Sequence, residues 1–170
     1  MKENELVAAI VKEFPALDGR VSSPQPMRVV TDWLSREEFL PLITYLHDSL
    51  SLTHGHSIIG TDEGESLGFI YALSGCDHVI VQLKLRAPKT DPRIPTMTSM
   101  YRSFTLFERE LEDLFGAKVE GLPAGRRYPL PDKWPKDQWP LRKEWDPAGL
   151  TMQESVQEEE PQKPAREDNL

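Results

Sequence analysis

Val79-Ile80-Val81-Gln82-Leu83-Lys84-Leu85-Arg86 is the stretch that decides how this chain folds. Val79, Val81, Leu83 and Leu85 alternate with Ile80, Gln82, Lys84 and Arg86. A strand here buries one face and exposes one that grows polar toward its end. Two further runs of strand length precede it, Leu52–Ile59 and Ser66–Leu73. Their separators, Thr61-Asp62-Glu63-Gly64 and Ser74-Gly75-Cys76-Asp77, are turn chemistry, so the three strands pair as an antiparallel meander. Upstream, the short β-branched run Met27–Thr31 adds a fourth strand. Ser35 and Glu38 have the spacing of a capping box and open a helix through about Ser49, with Phe39, Leu42, Ile43, Leu46 and Leu50 on its apolar face. Pro41 lies near enough its start to be tolerated. Leu6, Val7, Ile10, Val11 and Phe14 predict a short amphipathic helix over 4–14, ended by Pro15, and Arg20–Pro26 reads as a turn-rich connector.

Downstream, Ala87–Pro95 reads as a loop. Met100, Phe104, Phe107, Leu111, Leu114 and Phe115 then form the apolar stripe of a helix from about Thr98, closed by Gly116. The expected fold class is α+β: helices packed on a mostly antiparallel four-stranded sheet, followed by an extended Pro/Trp-rich arm and a disordered acidic tail.

The arm and the tail follow from where charge and proline sit. The chain has 170 residues and a net charge of −8, a size for one domain with an appendage. Residues 151–170 hold six acids and two bases and almost no apolar groups, too little to offset the entropy of ordering, so a disordered tail is expected. Residues 117–150 carry seven bases, five acids, six prolines and three of the four tryptophans: Trp134, Trp139 and Trp145. Proline at that density forbids helix interiors and central strands, yet tryptophan is costly to leave in water. Such a segment wraps its own domain, docks on a partner, or does both. The expected division is a 1–116 domain, a 117–150 arm and a 151–170 tail.

Composition also excludes. An acidic chain lacks the clustered Lys/Arg that phosphate contacts need, so nucleic acid is not expected as a partner. One cysteine makes no internal disulfide, which suits a reducing compartment. Residues 1–11 carry two acids and a short apolar stretch, not the pattern of a signal peptide, and no apolar run has the length of a membrane span.

Two clusters invite a chemical reading. Glu108-Arg109-Glu110-Leu111-Glu112-Asp113 puts four acids in six residues of the last helix. Helical geometry places Glu110 and Asp113 outward and lets Arg109 pair with Asp113, whereas Glu108 flanks the buried stripe. A carboxylate there needs a partner, and Arg126 or Arg127 is the expected one, in a structural ion pair. His54, His56, Cys76 and His78 allow a zinc site to be drawn, and with it an alternative function as a free-standing binding module or small metalloenzyme. Their spacing matches no zinc-ribbon or finger pattern. Nucleotide, phosphate and nucleophile-elbow motifs are missing from the sequence, and neither a cofactor nor a catalytic residue is expected.

The run E-R-E-x-x-D-L-F-G over Glu108–Gly116 is followed by Gly121-Leu122-Pro123-Ala124-Gly125-Arg126-Arg127 and later by Pro140-Leu141-Arg142-Lys143-Glu144. With Ile94–Tyr101 leading into the helix, it resembles the thirty-kilodalton subunit family of respiratory complex I (NADH:quinone oxidoreductase), shared with membrane-bound nickel–iron hydrogenases. The resemblance covers about residues 27–146. It implies a non-catalytic peripheral-arm subunit without cofactor that clasps the catalytic large subunit, the one with the quinone or nickel–iron site, beside the iron–sulfur subunits. It further implies a place on the cytoplasmic side of the membrane, touched only through the complex. Assembly roles carry over to Glu108, Arg109, Glu110, Asp113, Arg126, Arg127, Arg142 and Lys143, and the three arm tryptophans join them as anchors. The run Trp134–Pro140, where complex I forms tend to be glycine-rich, looks more like the hydrogenase branch.

Overall fold

The computed structural model describes residues 2–150. The chain runs α1 (Glu3–Glu13), β1 (Val21–Gln25), β2 (Arg28–Leu34), α2 (Arg36–Asp48), β3 (His54–Asp62), β4 (Ser66–Ser74), β5 (Ile80–Pro88), β6 (Arg93–Pro95), α3 (Phe104–Phe115) and β7 (Lys118–Glu120). The main sheet has the order β1-β2-β5-β4-β3. The meander β3-β4-β5 is antiparallel throughout, and β2 joins β5 in parallel, as a strand returning through a helix and two hairpins can. Val81, Leu83 and Leu85 are fully buried, as their alternation requires.

Three expectations need correction. Arg20–Pro26 is not only a connector: Val21–Gln25 forms β1, antiparallel to β2, so the sheet has five strands. Only Val21 of β1 is buried, and Pro24 is allowed because this is an edge strand, so no alternation marks it. The expected loop after β5 contains β6, which pairs in parallel with β7 as a separate two-stranded sheet. The last helix begins at Phe104 rather than Thr98. The segment before it is wound in turns, with Tyr101 N–H donating to Met97 O and the Tyr101 hydroxyl to Leu52 O. The tail, residues 151–170, lies outside the described residues.

Local chemistry explains the helices. Ser35 accepts from Glu38 N–H while the Glu38 side chain accepts from Ser35 N–H, the reciprocal cap read from the sequence. Gly116 ends α3 with φ of 68°, a left-handed conformation that glycine adopts without a Cβ penalty. On the sheet, the ring of Tyr71 in β4 packs against both Phe39 of α2 and Phe104 of α3. Helix α3 closes on β3 because that strand offers glycine at the contact. A Cβ on Gly60 would stand 2.4 Å from the Phe115 ring and 2.9 Å from Leu111, and one on Gly55 would stand 2.7 Å from Phe104.

Gly60→Ala is therefore expected to destabilise by about 1–3 kcal/mol through overpacking. Gly149→Ala, with nothing within 4 Å of the added carbon, is expected to change stability by less than about 0.5 kcal/mol. Urea denaturation of the two variants beside the parent checks both. Equal costs would show that α3 does not depend on this close approach.

Candidate partner-docking site

The charged helix motif and the arm meet along α3. Two carboxylates of the helix are buried, on different sides of it: Glu108, beside the stripe packed on β3, is fully buried, and Asp113, under the arm, is 7% exposed. Glu108 takes no arginine. Its Oε2 accepts from the Thr96 hydroxyl at 2.5 Å and its Oε1 from Met97 N–H at 2.6 Å. The expected ion pair with Arg126 or Arg127 is thus replaced by two neutral donors, because the 96–98 segment crosses the helix there and the arm does not. Burial raises the Glu108 pKa, and the two hydrogen bonds offset only part of that.

Asp113 is the second correction: it points into the arm rather than outward. Arg127 Nε donates to it at 2.7 Å and Leu130 N–H at 3.1 Å, while Arg127 Nη1 donates to Trp134 O at 2.7 Å. Arg109 does not pair with Asp113; its guanidinium donates to Pro123 O at 2.6 Å. Glu112 accepts from Val119 N–H at 3.4 Å. Glu110 remains half-exposed on the outer side, and Arg126 is exposed, 3.5 Å from Asp132.

A second set of bonds holds the end of the arm. Leu141 N–H donates to Leu114 O and Arg142 Nε to Phe115 O, satisfying carbonyls that the end of a helix leaves open. Arg142 also lies 4.0 Å from the centroid of the Trp139 ring, and that ring covers Gly116. One residue on, Lys143 N–H donates to Asp62 Oδ2 at 2.8 Å, and Lys89 Nζ bridges Asp62 at 2.7 Å to Glu144 at 2.6 Å. Burial alone would raise the Asp62 pKa, but Lys89 and the N–H groups of Lys143 and Gly64 outweigh it and hold it at about 2. Trp134 and Trp145 pack with ring centroids 5.9 Å apart, and both indoles donate to Gln138.

Arg109, Asp113, Arg127, Arg142 and Trp139 are thus brought together as an internal scaffold for the arm, while Glu108 holds the 96–98 segment instead. Glu110, Arg126 and the exposed Lys143 side chain stand on its surface. Sequence reasoning misses Asp62 and Lys89. Asp62 does belong to the turn that its surroundings predict, but no local pattern connects it to residue 143. The histidine cluster forms only in part. His54 and His56 meet edge to face with centroids 4.5 Å apart, and His56 Nε2 meets Ser74 Oγ at 2.8 Å. Cys76 is exposed, and no three His, Cys, Asp or Glu side chains among the described residues gather as metal ligands.

The raised pKa of Glu108 has a sign that stability measurements can read. A carboxyl whose pKa is higher folded than unfolded contributes stability below its unfolded value, and that contribution is lost as pH rises through the folded value. Glu108→Gln can still accept from Met97 N–H through its amide oxygen and can donate from its NH2 to the Thr96 hydroxyl oxygen, so it is expected to fold and to lose that component of the slope above about pH 4.5. Glu108→Ala leaves the buried Met97 N–H without a partner and is expected to cost about 2–4 kcal/mol. Denaturant melts of parent and both variants across pH 4–8 test this; parallel parent and Gln curves would sink it.

Comparison with known proteins places this arrangement. Residues 33–150 match the family model described as the respiratory-chain NADH dehydrogenase, 30 Kd subunit. The chain is 27% identical over 149 residues to a subunit of the F(420)H(2) dehydrogenase of Methanosarcina mazei, covering 86% of this chain and 93% of that one. It is 32% identical over 148 residues to the membrane-bound hydrogenase subunit beta of Pyrococcus furiosus, covering 84% and 86% of the two chains. A chain of the membrane-bound sulfane sulfur reductase, an archaeal respiratory membrane complex, shares the fold with a TM-score of 0.69 at 21% identity, over 84% of this chain and 85% of that one. The match spans α2, the meander, α3 and the whole arm, and on it this chain belongs to the family of the respiratory-chain NADH dehydrogenase 30 Kd subunit.

Proposed function

We propose that the chain is a non-catalytic peripheral subunit of a membrane-associated, ion-translocating oxidoreductase complex, of the membrane-bound hydrogenase or the NADH:quinone oxidoreductase kind. Its work is to support assembly of the catalytic large subunit, beside the iron–sulfur subunits and on the cytoplasmic side. No helix among the described residues is long and apolar enough to cross a membrane, and membrane contact runs through the complex. Residues 1–116 serve as the platform, 117–150 as the docking arm and 151–170 as a tail.

The observation that carries this reading is the pinning of the arm. An irregular segment rich in proline is held at both ends by the family's helix motif: Arg127 on Asp113, and Arg142 on the last carbonyl of α3. Order obtained in advance lowers the entropy that binding costs. The pinned arm leaves Tyr128 43% and Leu141 50% exposed and Trp134, Trp139 and Trp145 half-buried, the residue types that anchor protein interfaces. Arg109, Asp113, Arg127 and Arg142 position the arm, while Glu110, Arg126, Lys143 and the tryptophans meet the partner.

An affinity-tagged chain is expected to bring down the large redox subunit from detergent-solubilised membranes. Deleting 117–150 is expected to abolish this, and retention of the large subunit would falsify the assignment of the arm. Arg126→Glu and Lys143→Glu, both at exposed positions, are expected to lower recovery at least tenfold with thermal stability unchanged. Unchanged recovery in both would remove these cations from the interface.

A further inference from the structure

Every helix lies on one face of the main sheet, and among the described residues the other face is bare. Phe39 of α2 and Phe104 of α3 both pack on Tyr71, and α1 joins them through Phe14 on Tyr45. The glycines mark the two faces. Gly60 looks at Phe115 and Leu111, whereas Gly68, paired with Thr61, looks the other way at Trp33. The arm follows α3, on the helical side.

One cross-strand row on the bare face runs Ile59 (β3), Ile70 (β4), Lys84 (β5) and Trp33 (β2), each paired with the next. Ile59 is 49% exposed and the other three are half-buried. Arg86, two residues beyond Lys84, is exposed and lies 4.6 Å from the centroid of the Trp33 ring, with Lys84 Nζ at 6.0 Å. The chain carries a net charge of −8, yet among the described residues neither Lys84 nor Arg86 forms an ion pair. Among the described residues these two cations are held by an aromatic ring with no carboxylate on them, beside an aliphatic pair on the same row.

We propose that this face is a second docking surface, separate from the arm, for another protein subunit of the complex whose contact surface has an apolar centre and carboxylates opposite Lys84 and Arg86. Charge complementarity selects the partner. Cations desolvated on this face need anions, and the described residues of this chain supply none to them. The strand backbone is already rigid and β-branched isoleucine has little rotamer freedom to lose, so apolar burial here costs little ordering. The proposal takes from the assembly reading only that the partner is a subunit.

The test labels position 59. Ile59→Cys in a Cys76→Ser background, which removes the other thiol, is reacted with a water-soluble maleimide in the isolated chain and in the purified complex. Labelling is expected to be at least tenfold slower in the complex. Lys84→Glu with Arg86→Glu is expected to remove that protection and to release the chain at lower salt, while Lys84→Gln alone gives a partial effect. Equal labelling rates in a complex that retains its redox subunits overturn the docking face and leave the assembly reading standing. A chain that brings down no redox subunit overturns both. Protection of the isolated chain that grows with its own concentration, or that appears with phosphatidylglycerol vesicles or with a single-stranded RNA probe, also overturns the proposal, in favour of a second copy, a lipid surface or a nucleic acid.

Discussion

A helix that buries two carboxylates, one beside the sheet and one under the arm, has to be given donors, and in this protein they come from the segments on either side of it. Glu108 draws in the 96–98 segment and Asp113 draws in Arg127 and Leu130. An unpaired buried carboxylate would cost several kcal/mol, whereas hydrogen bonds to charged groups contribute about 1.5–3 kcal/mol each. The path of each flanking segment therefore follows from where α3 presents its carboxylate, and Gly55 and Gly60 on β3 set how closely the helix lies on the sheet. Without the glycine contact the helix lifts from β3, and the segments bonded to its two carboxylates have to shift with it.

Much of this is legible in the sequence, and what is not has identifiable reasons. The capped α2 and the glycine stop of α3 rest on contacts within a few residues, and the meander on alternation between short turns, so local pattern reveals them. Edge strand β1 has one buried residue in five and a proline, which leaves no period to read. Glu108 misleads because its charge invites an arginine, while a threonine hydroxyl and a backbone N–H serve. Helical geometry alone sends Asp113 outward. That argument holds for an isolated helix, but here the arm returns to cover the face. Asp62 reaches Lys143 across 81 residues and Lys89 reaches Glu144 across 55, contacts that no sequence spacing announces.

The scaffold revises what the family's charged motif does. As a sequence it reads as a surface for a neighbour. In the folded chain most of its groups are satisfied internally: Arg109 on Pro123 O, Glu112 on Val119 N–H, Asp113 on Arg127. What these groups do in the folded chain is fix the shape of residues 121–145, and under the proposed docking role any effect of the motif on assembly is indirect. A motif of this kind tolerates little exchange of Arg for Lys, because Arg127 bonds two groups at once, a carboxylate through Nε and a carbonyl through Nη1.

The two surfaces differ in the kind of binding they suit. The arm has little regular hydrogen bonding of its own and is held by a few strong contacts at Asp113, Asp62 and the end of α3. A partner that reinforces those contacts stabilises the segment as it binds. The open sheet face is already rigid through its ladders, so it has no ordering left to gain and recognises by shape and charge alone. A subunit gripped through both would be fixed in orientation, since contacts on opposite faces of one sheet leave no axis free to turn.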